Sequence, residues 1–128
     1  MNGARILAVA LGGAAGAVAR YALSGWIALS TRSSPFPWGT LSVNVLGGAA
    51  LGLVMGAVTS SRLVVPPVLR DFLTIGVLGA FTTFSTFSYE TVQASRLGYD
   101  RVAAANIAAN LILGLAACWI GLRVGRSL

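Results

Sequence analysis

Gly79-Ala80-Phe81-Thr82-Thr83-Phe84-Ser85-Thr86-Phe87-Ser88-Tyr89-Glu90 is too apolar for a surface loop and too rich in hydroxyls for a helix that faces only lipid. Serine and threonine bond back to their own helix carbonyls, which makes a few of them tolerable in hydrocarbon. This density beside glycines argues for an interior or wet face. On a continuous helix, Phe81, Phe84 and Phe87 form one stripe at three-residue spacing, with Thr83 and Thr86 on one side and Ser85 and Ser88 on the other. Phenyl rings then alternate with hydroxyl donors along one surface, either as helix packing or as a ligand path. Gly76 and Gly79 lead into the stretch, and glycine at mid-membrane lets the backbone leave helical geometry. A break exposes carbonyls that need partners, and a buried cation is a common one. A continuous helix whose glycines serve only close packing stands as the equal alternative.

Working outward, the apolar run from Phe72 to Leu78 follows Pro66-Pro67, which suit a helix start, so the whole makes a span over about 68–89. Three further segments have the length and apolarity to cross a bilayer: about 6–29, about 39–58 and about 102–122. The first ends in the turn-rich 30–37, the second at Thr59-Ser60-Ser61-Arg62, and the fourth at Arg123 and Arg126. Trp26, Trp38 and Trp119 fall near span ends, where an indole prefers the head-group region. The expected fold is therefore an all-α integral membrane protein, four transmembrane helices forming a single domain over 1–128. The first segment carries Arg20 in its interior and no clear cleavage site follows it, so it reads as a retained span.

Composition agrees. Apolar residues make up 56% of the chain and charged residues 9%, with Gly and Ala in the same segments as Leu and Val, which disfavours a water-soluble fold. Every basic residue is Arg, and with only Asp71, Glu90 and Asp100 opposing them the formal charge is +6. Such an excess suits nucleic acid, anionic lipid or an anionic solute. These arginines are dispersed singly near helix ends, so no nucleic-acid partner is expected. The lone thiol, Cys118, lies in an apolar run, and the absence of His removes the usual general base. Nothing resembles a nucleotide loop, a nucleophile with its base or a metal-ligand cluster, so no enzyme is expected.

Orientation is evenly balanced. Arg5, Arg62, Arg70, Arg123 and Arg126 share one face, and Arg20, Arg32, Arg96 and Arg101 the other. A chain that inserts both ways up can pair antiparallel and so create an inverted repeat from one gene; a single orientation set by other features is the competing reading. Gly48, Gly52 and Gly56 on the second span, with Gly12 and Gly16 on the first, offer grooves for close backbone approach, mainly a packing signal.

Polar side chains are few enough to weigh one by one. Asn44 follows Ser42 in the second span, while Asn106 and Asn110 lie one turn apart on the fourth. Interhelical hydrogen bonding is the plainer role for the latter two, and Asn44 suits packing and a pathway equally. Arg20 is either a snorkelling anchor or a fixed positive group at an entrance, and Glu90 either neutralises such an arginine or lines a mouth. Acidic rings for a cation are missing, whereas amides, hydroxyls and the electropositive edges of phenyl rings suit an anion held by weak, multiple contacts.

Gly16-Ala17-Val18-Ala19-Arg20-Tyr21, Trp38-Gly39-Thr40-Leu41-Ser42-Val43-Asn44 and Gly79 to Ser88 together resemble the small bacterial fluoride channels of the Fluc or CrcB family, with the resemblance reaching all four spans. It implies a break in the third helix and an antiparallel dual-topology homodimer in the inner membrane, with two pores and a structural sodium ion (Na+) at the dimer centre. By position, Gly79 and Thr82 would give backbone carbonyls to sodium, Phe84 and Phe87 would be ring-edge fluoride ligands, and Asn44 the adjacent pore amide. Thr83, Ser85 and Thr86 would belong to a hydroxyl-rich wall, Arg20 to a vestibule, and Glu90 to the acidic position after the phenylalanine pair. Ala80 stands where family members often have a second glycine. The implied function is passive fluoride efflux. Two other readings compete: a small proton-coupled multidrug exporter, which needs a membrane-embedded carboxylate that the first span lacks, and an accessory membrane subunit without a pathway, for which the glycine zippers suffice.

Overall fold

The structure, a computed structural model, describes residues 2–128. Helix α1 (Gly3–Ser30) begins at Asn2, whose side chain accepts the Arg5 N–H at 3.0 Å, and ends where Pro35 and Pro37 prevent continuation. Helix α2 (Trp38–Thr59) follows. The third span is composite. Helix α3 (Pro67–Asp71) starts with Pro67 in its first turn, where a missing N–H costs nothing, and passes into a π-helical segment, Phe72–Leu78. A single turn, α4 (Gly79–Phe81), precedes two extended residues, Thr82 (ψ 159°) and Thr83 (ψ 118°). Helix α5 (Phe84–Arg96) completes the span, and Gly98 at φ 85° turns the chain into α6 (Asp100–Ser127).

Four helical units are thus long and apolar enough to cross a membrane, and one is bent. The chain is inside out relative to a soluble bundle. Its buried apolar core is limited to small and medium side chains such as Ala8, Leu41, Val43, Ala57 and Ala103, while Leu7, Leu11 and Val18 point outward. With hydrocarbon outside, close packing and internal polar bonds rather than the hydrophobic effect hold the helices together.

Glycine decides which helices meet. A Cβ on Gly52 would strike the Cys118 carbonyl, and one on Gly121 or Gly125 would strike the carbonyls of Ala49 or Leu53, so α2 and α6 mesh backbone to backbone. Gly12 and Gly16 do the same against Phe72 and Val77, seating α1 on the π-helical segment. Both glycine rows therefore find their partners within the chain. Arg5 reinforces the second seam, its Nε donating to Asp71 Oδ2 at 2.5 Å, with Arg70 Nε 3.5 Å from the other carboxylate oxygen.

The bend changes neighbours as well as direction. Upstream of Thr82 the third span packs on α1, whereas α5 packs on α6. One expectation fails as a result. Phe81 does not share a stripe with Phe84 and Phe87, because the extended pair lies between them and Phe81 turns instead toward Gly47 of α2.

Candidate functional site

The extended residues at the bend expose backbone groups that a lipid environment cannot satisfy, at several kcal/mol each. Asn44 answers this from α2. Its Oδ1 accepts the Thr83 N–H at 2.8 Å, and its Nδ2 donates to the Thr83 carbonyl at 3.1 Å, so one amide grips both sides of one residue. Thr83 is also the N-cap of α5, its Oγ1 accepting the Thr86 N–H at 3.1 Å and donating to Thr86 Oγ1 at 3.0 Å. These bonds divert two donors. In an unbroken helix the Thr83 N–H would serve the Gly79 carbonyl and the Thr86 N–H the Thr82 carbonyl. The break therefore leaves a carbonyl-rich C-terminal end on α4 and an amide-rich N-terminal end on α5, side by side.

Phe84 and Phe87 flank the amide end. Their ring centroids lie 5.5 Å apart with planes tilted by 48°, and both rings line one groove. That groove, about 290 Å³, is also walled by Asn44, Thr82, Thr83 and Asn110. A second cavity of about 210 Å³ shares Thr83 and adds Arg20 and Thr86. A third, of about 480 Å³, shares Thr86 and opens toward Arg32, Trp38 and Glu90. Neighbouring spaces share lining residues along the first turns of α5: Thr83 borders the first two, and Thr86, with Tyr21, Ser24 and Thr40, borders the second and third.

The remaining expected residues take definite places. Ser85 is exposed, with its hydroxyl 3.3 Å from Thr83 Oγ1. Arg20 is half-buried in the middle cavity and does not pair with Glu90. Among the described residues the ion pairs are those of Asp71, so neutralisation of Arg20 by Glu90 is not what holds that acid. Glu90 Oε1 instead accepts from Thr40 Oγ1 at 2.9 Å, and its Oε2 is buried with no protein partner. On α6, Asn110 accepts from Asn44 Nδ2 at 2.9 Å, and Asn106, 1% exposed, donates to Thr91 Oγ1 at 2.9 Å.

Phe84 stands out for a different reason. It is 78% exposed although it lines the groove. Sequence reasoning did not single out Thr40 or Thr91, each of which pairs with a residue it had marked; a threonine inside a polar run gives no sign of which distant side chain it meets.

The sequence matches known proteins over nearly its full length. The family described as "CrcB-like protein, Camphor Resistance (CrcB)" matches residues 7–122. The chain is 48% identical over 118 residues to a protein of Magnetococcus marinus named "Fluoride-specific ion channel FluC", covering 92% of this chain and 94% of that one. Proteins of the same name from Geobacter sulfurreducens and Geobacter metallireducens are 48% and 46% identical, each over 96% of this chain and 98% of the relative.

Proposed function

The chain belongs to the CrcB family of multi-pass membrane channels, and from that premise we propose that it conducts fluoride passively out of the cell and so confers fluoride resistance. The observation that carries the reading is the row of cavities that begins at Phe84 and Phe87 and continues past Thr83 and Thr86 to the mouth near Arg32. Fluoride is small and strongly hydrated, and a pathway must replace that water with many modest donors. The ring edges, the amide of Asn44, the hydroxyls of Ser85 and Thr86 and the amide end of α5 supply them, while Arg20 draws the anion toward the middle cavity.

The exposure of Phe84 supports a homodimer, since a second copy would cover it. An antiparallel arrangement in the inner membrane, with each chain contributing one four-helix unit over 1–128, fits the five-to-four division of arginines between the faces. It would also bring two copies of the α4 carbonyl end together. Gly79 and Thr82, whose usual helical donors are diverted to Asn44 and Thr83, would then give two carbonyls from each subunit to a structural sodium ion. Hard oxygen ligands at the negative end of a helix turn suit such a cation, whose charge would neutralise the gathered carbonyls.

Purified protein in liposomes loaded with fluoride tests the function. Rapid efflux with no proton gradient supports the channel. Proton movement driven by a cationic drug would favour an exporter, and silence in both assays an accessory subunit.

A further inference from the structure

The amide clamp at the bend is the first link of a longer chain. A backbone N–H only donates, so Thr83 obliges Asn44 to present Oδ1, which leaves Nδ2 facing the Thr83 carbonyl and Asn110 Oδ1. With its oxygen taken, Asn110 turns Nδ2 to Asn106 Oδ1 at 2.9 Å and to the Asn106 carbonyl at 3.0 Å. Asn106 in turn has Nδ2 for Thr91 Oγ1, and the Thr91 hydroxyl proton goes to the Phe87 carbonyl at 2.7 Å. One backbone group therefore sets the direction of every bond that follows. Turning any one of the amides would set nitrogen against nitrogen or oxygen against oxygen in a medium of low dielectric.

The two ends of this chain fall on the same element. It leaves α5 at Thr83, the residue before Phe84, crosses to α2 and then α6, and returns to α5 at the carbonyl of Phe87. The turn that carries both rings is thus held at its start and its finish by groups that cannot shift independently. Resting on the channel reading above, we infer that Asn106 and Thr91 are positioning residues for fluoride passage, acting on the Phe84–Phe87 pair through this one-way chain. Neither borders the three cavities, and Asn106 is sealed from solvent. Any effect they have on the ion passes through the chain, to the rings and to the Asn44 and Asn110 amides that wall the groove.

Thr91→Val and Thr91→Ser separate positioning from simple packing between α5 and α6. Valine keeps the shape and removes the hydroxyl; serine keeps the hydroxyl and removes a methyl group. The full chain is reconstituted in liposomes for fluoride efflux, and exchange of the Thr83 amide proton is followed in 15N-threonine-labelled protein. Thr91→Val is expected to slow efflux by about tenfold or more and to speed Thr83 exchange, with Thr91→Ser within about twofold of the native chain in both. Native efflux in Thr91→Val, a Thr83 amide as protected as in the native chain despite lost efflux, or serine failing as valine does would each overturn the inference. If Thr91→Val is not recovered folded, Asn106→Leu is read by the same two measurements, with native behaviour in either counting against the chain. Absence of fluoride efflux from the native protein overturns the channel reading and the inference together, whereas native efflux that is indifferent to these substitutions overturns the inference alone.

Discussion

Asn44 shows what one side chain does at a membrane-embedded break. Its three bonds use the amide oxygen and both amide hydrogens, so it lines the groove with its donors already engaged, and on the proposed pathway an ion would compete with Thr83 or Asn110 for them. The ring edges of Phe84 and Phe87 carry no such competing bond. A neutral hydrocarbon edge is a weak ligand for an anion, so two or more must act together. Replacing Phe84 or Phe87 by Ile removes the polarised edge while keeping bulk. Each replacement is expected to cut liposomal fluoride efflux by at least about tenfold with helix content unchanged. Undiminished efflux from the doubly substituted protein would discard the ring-edge mechanism.

At the scale of elements, the composite third span exists because three devices act in sequence. The π-helical segment packs tightly on α1 through Gly12 and Gly76, α4 carries the helix one turn further, and the Thr82–Thr83 pair ends it. Only then is α5 free to leave α1 and lie on α6. That arrangement needs α2 and α6 held at fixed register, since α2 supplies Asn44 and α6 supplies Asn110. Gly52→Val would drive a side chain into the Cys118 carbonyl and the Leu122 amide, neither of which can rotate away. Loss of folded protein on size-exclusion chromatography in mild detergent is expected. Gly13→Ala, where an added Cβ meets nothing within 4 Å, is expected to elute as the native chain does and serves as the control. Equal tolerance of both would show that the α2–α6 seam is looser than its geometry.

For the whole molecule, the proposed pairing of two oppositely inserted copies rests on the exposed Phe84 and the near-balanced arginines. Ser33 lies exposed in the connection between α1 and α2. In intact cells a Ser33→Cys variant is expected to react with a membrane-impermeant maleimide in about half of its copies, since dual insertion places that connection on both sides. Labelling of all copies, or of none, would exclude dual topology. Much of this was legible without coordinates. Four runs of apolar residues of bilayer length, punctuated by Pro66-Pro67 and by arginines, state the number of spans because lipid tolerates little else, and hydroxyls crowded between Thr82 and Thr91 mark the face that cannot be left to lipid. The same letters could not choose between a broken and a continuous third helix, since glycine serves both, nor tell that Phe81 parts from the other two rings. They also could not tell that Asn44 reaches Thr83, 39 residues away, or that Asn106 reaches Thr91. Span identity follows from local composition, because transfer into hydrocarbon is paid residue by residue. The bend and its hydrogen-bond chain belong to the tertiary structure, because an unpaired backbone group is satisfied only by whichever distant side chain the packing of helices brings within about 3 Å of it.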